Sequence, residues 1–223
     1  MPVGLIRVVT LQDEAGINNH GRLLEVCFPG LRVESRCIED QPEGVFDDRT
    51  FAMAVPKIVR LGKQMASEGM KAVIVSCADD PGVPELRKIL DIPVIGAGSA
   101  SASLALSLAN RIGTLGIVEN TPRTMRVILG PHLVAETKPK KVRTTLDLLS
   151  AEGWKNALEA AEYLHRSGAE IIALACTGFS TIRIARELEN KTGLPVIDAV
   201  EAAGLFARHF TAHSRSVAAS PGE

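Results

Sequence analysis

The sequence predicts an α/β fold built from two pseudo-symmetric, parallel-sheet halves with a functional site between them. Short apolar, partly β-branched runs alternate with helix-like stretches along the chain, as parallel strands joined by crossover helices do. The alternation runs through twice. Val73-Ile74-Val75-Ser76-Cys77 is echoed by Ile171-Ile172-Ala173-Leu174-Ala175-Cys176, each cysteine lies eight residues after a glycine (Gly69, Gly168), and Ile92-Pro93-Val94-Ile95 is answered by Leu194-Pro195-Val196-Ile197. In both copies the cysteine stands where a buried strand gives way to small and polar residues and then to a helix-like pattern.

Taken in order, Leu5 to Val9 reads as a buried strand ending at Thr10, followed by a polar loop, Gln12 to Gly21, and a short helix broken by Phe28-Pro29-Gly30. Leu31 to Ile38 alternates like a half-exposed strand, and a helix follows from Arg49 to Ser67, with Pro56 weighing against its continuity. Lys71 to Ser76 is a strand, Pro84 to Leu90 a helix, Ile92 to Ile95 a strand, and the Ala- and Leu-rich stretch Ser99 to Arg111 a helix. The second copy runs through strand Thr114 to Val118, helix Pro122 to Leu129, strand Leu133 to Thr137 and helix Gly153 to Ser167. Ala157, Leu158, Ala161 and Leu164 fall at helical spacing within that last helix. Strand Ile171 to Ala175, helix Thr181 to Glu189, strand Leu194 to Ile197 and helix Ala199 to Phe210 complete it, and the Ser-, Pro- and Gly-bearing tail from Thr211 to Glu223 reads as frayed.

Composition narrows the function. With 223 residues, 46% hydrophobic and 23% charged, the chain has the profile of a globular protein with room for a sizeable core. A net charge of −1 without a basic run argues against nucleic acid. No apolar run is long enough to span a bilayer, and Met1 to Val9 carries no signal-peptide features, so a cytoplasmic location is expected. The expected partners are a small-molecule substrate and further copies of the chain in a homo-oligomer. The four cysteines show no Cys-x-x-Cys spacing and read as free thiols; Cys27 and Cys37 lack counterparts in the other copy and read as structural.

In open parallel sheets, ligands collect at the carboxyl ends of the strands. Thr10, Cys77, the Glu119-Asn120-Thr121 turn and Cys176 all fall there. The five histidines lack metal-ligand spacing, no metal is expected, and only His20 is placed to reach a strand-end site. Asp80 before Pro81 has the pattern of a helix cap, yet it stands where it could also shape the pocket mouth. Gly96-Ala97-Gly98-Ser99-Ala100-Ser101, with Glu119 downstream, partly matches a dinucleotide fingerprint. Ser101 replaces its third glycine, its strand is the fourth of the unit, and the second copy has Asp198-Ala199-Val200-Glu201 instead.

Two thiols facing one cleft suit inversion of a stereocentre. One, as thiolate, takes a proton from carbon, and the other, as thiol, delivers a proton to the opposite face. Helix N-termini would favour the thiolate. The enolate formed in between needs donors, for which strand-end and helix-start amides at Thr10, Ala78, Thr177 and Gly178 are candidates. No cofactor is required by such a scheme.

The Cys-x-Asp-Asp-Pro-Gly segment, Cys77 to Gly82, and Cys176-Thr177-Gly178 resemble the aspartate/glutamate/hydantoin racemase superfamily, and the resemblance extends from about Leu5 to Leu205. It is closer to the hydantoin racemase branch, because Phe179 stands where the amino-acid racemases usually carry His. The resemblance implies two flavodoxin-like halves, residues 1–97 with a returning C-terminal segment 203–223 and residues 98–202. It also implies cofactor-independent racemisation of 5-substituted hydantoins or related ureido compounds, with Cys77 and Cys176 as acid/base residues. Asn120, Thr121 and the amides of Gly178 and Phe179 would hold the substrate. Gln12 and Asp80 complete the substrate-binding candidates; the segment after the first strand, Thr10-Leu11-Gln12-Asp13, departs from the Asn-Pro-Asn type found in many hydantoin racemases. The alternatives are an aspartate/glutamate-type racemase or related acid isomerase or decarboxylase, for which Arg123 is the nearest cation, and a nucleotide- or small-molecule-binding protein.

Overall fold

The computed structural model describes residues 1–213, so residues 214–223 of the expected returning segment and tail lie outside the described residues. The first sheet holds β1 (Pro2–Arg7), β2 (Arg32–Cys37), β3 (Val73–Ser76) and β4 (Val94–Gly96) in the order β2-β1-β3-β4, all parallel. The second holds β5 (Ile112–Leu115), β6 (Leu133–Thr137), β7 (Ile171–Leu174) and β8 (Val196–Ile197) in the matching order β6-β5-β7-β8, also parallel. The duplicated sequence thus folds as a duplicated topology.

The helices of the first half are α1 (Glu14–Cys27), α2 (Asp48–Ser67) and α3 (Val83–Ile89), and α4 (Ala97–Leu108) leads into the second sheet. There α5 (Arg123–Leu129), α6 (Ala151–Arg166), α7 (Gly178–Ile182) and α8 (Ala185–Thr192) follow, and α9 (Ala199–His213) closes the described chain. Pro56 does not break α2. Its ring removes the partner of the Ala52 carbonyl, but both residues are exposed, so the freed acceptor faces solvent and is not buried unpaired.

Three expectations need correction. The polar stretch from Gln12 to Gly21 is helical from Glu14 onward: Asp13 caps it by accepting from the Gly16 amide at 2.6 Å, and His20, Gly21, Leu23 and Leu24 bury one face. Packing of that face overrides the weak propensity of Gly16, Asn18, Asn19 and Gly21. The helix expected over Thr181 to Glu189 is two pieces, α7 and α8, separated at Arg183, which has φ +53°. In the expected tail, Thr211–His213 continue α9.

One apolar core is common to both halves. Val3, Leu5 and Ile74 of the first sheet and Ile112, Ile171 and Ala173 of the second cluster with α4 and α9 residues such as Ala102, Ala105, Val200 and Ala203. Helix α4 packs against α9, α5 and β7, and α9 packs against α1, β3 and β4. Separate cores fill the outer faces. The shared helices hold the two sheets together, and the carboxyl ends of β1, β3, β5 and β7 contribute to a common opening.

Candidate active site

A cavity of about 620 Å³ opens where those strand ends meet. The first half contributes Arg7, Val8 and Val9 from the end of β1, Ser76 to Asp79 from the end of β3, His20 from α1, and Gly44 to Asp48 with Phe51 from the segment entering α2. The second half contributes Ile117 to Arg126 without Glu119 and Met125, Thr145, and Ala175 to Gly178 with Thr181. Both cysteines singled out by the repeat line this one cavity, Cys77 half-buried and Cys176 buried. The charge of Cys176 acts on Cys77 and pushes its thiol up.

Their surroundings repeat the duplication. The Gly178 amide donates to Cys176 Sγ at 3.3 Å, and the Asp79 amide donates to the Cys77 sulfur, each from two residues downstream. The residue between, Ala78 in one half and Thr177 in the other, has a backbone N–H with no hydrogen-bond acceptor among the described residues. These two amides are donors available to a ligand. The Gly178 amide serves its own cysteine instead, and the Phe179 amide is turned back onto the Cys176 carbonyl at 3.3 Å.

The amides that follow the cysteines pull both thiols toward the thiolate, as expected, but burial outweighs them. Burial pushes the Cys176 thiol up to about 11, against the pull of the Gly178 amide. Burial pushes Cys77 higher still, aided by the charges of Asp79, Cys176 and Asp80 and opposed by the Asp79 amide. The local reason is geometric: Cys77 is followed by a turn that leads to Gly82, and α7 after Cys176 is only five residues long. Dipoles that short do not offset desolvation. The thiolate absorbance lost when Cys176 is replaced by Ser is therefore expected to titrate with a midpoint near 11, above the 9.0 of an ordinary thiol; the difference in absorbance near about 240 nm between the two proteins against pH checks this.

The structure brings Ala78, Asn120, Thr121, Thr177 and Gly178 to the cavity and leaves four other candidates outside it. Thr10 ties the end of β1 to the following loop, donating to the Ile38 carbonyl at 2.7 Å and accepting from the Gln41 amide at 2.8 Å. Gln12 is exposed ahead of α1. Phe179 is fully buried in the core of the second half. Asp80 accepts from the Gly98 and Ser99 amides, both at 2.8 Å, and so caps α4 from across the sheet. That bond also disposes of the dinucleotide fingerprint, since the amides that would cradle a phosphate already hold a carboxylate. Thr121 lines the cavity, but its hydroxyl is shared between Thr114, at 2.5 Å, and Glu136, at 2.7 Å.

Sequence reasoning missed Arg7. It is buried, Nη1 donates to the Gly16 carbonyl at 2.5 Å, and among the described residues no carboxylate forms a salt bridge with it, although the charges of Cys37 and Asp13 act on it. Burial lowers it to about 10. A charge inside an otherwise apolar strand was the available signal. The segment carrying Val45, Phe46 and Phe51 gave none, because only the fold brings it over the strand ends.

The Asp/Glu/Hydantoin racemase family model matches residues 25–205. The chain belongs to the Asp/Glu/hydantoin racemase family. It is a racemase-type isomerase of that family, as are the relatives it resembles. It is 31% identical over 175 residues to a hydantoin racemase of Rhizobium meliloti, covering 74% of this chain and 70% of that one. A hydantoin racemase of Pseudomonas sp. (strain NS671) is 30% identical over 169 residues, covering 70% of this chain and 64% of that one. In fold the chain is similar to the allantoin racemase from Klebsiella pneumoniae, with TM-score 0.83, 22% identity, and coverage of 96% of this chain and 88% of that one. No helix among the described residues is long and apolar enough to cross a membrane.

Proposed function

We propose that the enzyme inverts the C5 stereocentre of 5-substituted hydantoins or related ureido compounds by proton transfer between Cys77 and Cys176. The observation that carries the reading is the pair of thiols, matched in the two halves, on one cavity. A ligand held there has a sulfur from each half. One cysteine, as thiolate, takes the C5 proton; the negative charge moves onto the adjacent carbonyl oxygen, where the Ala78 and Thr177 amides can donate; the other thiol then gives its proton to the opposite face. The two cysteines leave the cycle with exchanged protonation states, and no proton is gained or lost overall. Val45, Phe46, Phe51, Ile117 and Val118 supply an apolar wall for a C5 substituent. We place the enzyme in the cytoplasm as a homo-oligomer, divided into 1–97 with the returning segment 203–223, and 98–202.

Arg7 favours a second reading, in which the substituent carries a carboxylate, as in the acidic branch of the family. A buried guanidinium with no carboxylate in direct contact is costly, and an anionic group in the cavity would offset that cost. The test uses enantiopure 5-benzylhydantoin and 5-(2-carboxyethyl)hydantoin in deuterated water, following optical rotation and C5 deuteration. Wild type is expected to racemise with solvent deuterium incorporated. A higher kcat/KM for the benzyl compound supports the first reading, and a higher value for the carboxyethyl compound supports the second. Rates no greater than the enzyme-free control for both compounds reject the hydantoin assignment.

A further inference from the structure

Beside the two thiols, on the lining of the same cavity, a closed ring of hydrogen bonds joins the halves. His20, 1% exposed on α1, places Nδ1 2.8 Å from Ser76 Oγ and Nε2 2.8 Å from Thr181 Oγ1. The Thr181 hydroxyl reaches the Thr177 carbonyl at 3.5 Å, and Thr177 Oγ1 donates to the Ser76 carbonyl at 3.2 Å. Ser76 immediately precedes Cys77, and Thr177 immediately follows Cys176. The ring therefore runs from the backbone beside one thiol to the backbone beside the other.

Burial first, and the Arg7 charge second, hold the imidazole neutral. A neutral ring has one N–H and one lone pair. One ring nitrogen therefore donates to its hydroxyl partner and the other accepts from its own, so Ser76 and Thr181 are both engaged by the one imidazole. Two bonds of the network, His20 to Thr181 and Thr177 to the Ser76 carbonyl, cross between the halves and hold only while the halves keep this distance. A fully satisfied buried network selects one arrangement, and losing one member leaves its neighbours unpaired.

We propose that His20 is a positioning residue that fixes the separation of the two cysteine-bearing strand ends. The proposal rests on the two-thiol reading above. Taking a proton from C5 and returning it needs one sulfur at the right distance; inversion needs both. Loosening the ring should leave hydrogen exchange by the better-placed thiol largely intact and remove delivery to the opposite face. Misplacement of a catalytic group by about 1 Å costs on the order of 10²-fold in rate.

The experiment compares full-length wild type, His20→Leu, His20→Gln, Thr181→Val and the His20→Leu/Thr181→Val double variant, each normalised to its titratable thiols. For both enantiomers, inversion is read by optical rotation and exchange by loss of the C5 proton in deuterated water. His20→Leu and Thr181→Val are expected to lower kcat for inversion about 10²-fold with KM within about threefold, and to raise the ratio of exchange to inversion at least about tenfold. His20→Gln, which keeps one donor and one acceptor, is expected to lie between them and wild type. The double variant should lose no more than the worse single one, because both act through one ring. Equal loss of exchange and inversion in all variants, or a kcat for inversion within about twofold of wild type in His20→Leu, overturns the proposal. A wild type that neither exchanges nor inverts removes the racemisation reading itself, and that result is visible before any variant is compared.

Discussion

Serine at position 77 or at position 176 is expected to lower kcat/KM for racemisation by about 10³-fold, the scale of a lost general acid or base. The oxygen replaces sulfur with little change in volume, so the fold and the other thiol stay in place, but an alcohol is far less acidic than a thiol and cannot supply the thiolate. The two variants should differ in what survives. Each keeps one sulfur on one face of the cavity, so each should still exchange the C5 proton of one enantiomer with solvent, and of the opposite enantiomer in the two cases. Proton loss from each pure enantiomer in deuterated water, beside optical rotation, reads this directly. A variant that inverts at near the wild-type rate removes its cysteine from the chemistry. Loss of exchange from both enantiomers in both variants would show that neither sulfur works alone.

The thiols were legible because their signal is local and occurs twice: a buried β-branched run, a cysteine, then small residues. The duplication then predicted that two such strand ends share a cleft, and the matching orders of the two sheets put them there. Three parts of the site were not legible. Helix α1 is held by the packing of His20, Gly21, Leu23 and Leu24, which local propensity does not record, so His20 was placed on a loop. Val45, Phe46 and Phe51 follow β2, not the strands that bear the thiols, and only the fold brings them to the cavity. The acidity of the thiols depends on how fully the halves enclose them, and burial there outweighs the amides that a sequence pattern suggests. Asp80 shows the opposite case. Its capping pattern was readable, but the helix it caps is α4, reached through the fold, and not the helix that follows it.

Gly98→Ala is expected to be among the most damaging single-methyl additions to this chain. A Cβ built at Gly98 would stand 1.8 Å from the Ala78 carbonyl oxygen, and the atom in the way is backbone, which cannot rotate aside as a side-chain end can. The Asp80 carboxylate draws the two segments together at that point, holding the Gly98 and Ser99 amides at 2.8 Å. Relief therefore requires the turn after Cys77 to move off α4, breaking a buried charge-assisted cap as it goes. The expected cost is about 4 kcal/mol or more, the range reserved for overpacked cores and broken buried networks. For a chain of this size that lowers the melting temperature by roughly 8–16 °C. Gly116→Ala is the control: the nearest atom to its Cβ is the Ala175 Cβ at 3.6 Å, an ordinary contact, and its backbone φ is not positive. Its stability should stay within about 1 kcal/mol of wild type. Because Ala78 follows Cys77 directly, any folded Gly98→Ala protein should also lose racemisation per titrated thiol, whereas Gly116→Ala should keep it. Calorimetry with thiol-normalised rates on both proteins checks the pair. A Gly98→Ala protein that melts with wild type would show that the turn behind Cys77 yields freely, and a thiol on a yielding turn could not be held opposite Cys176.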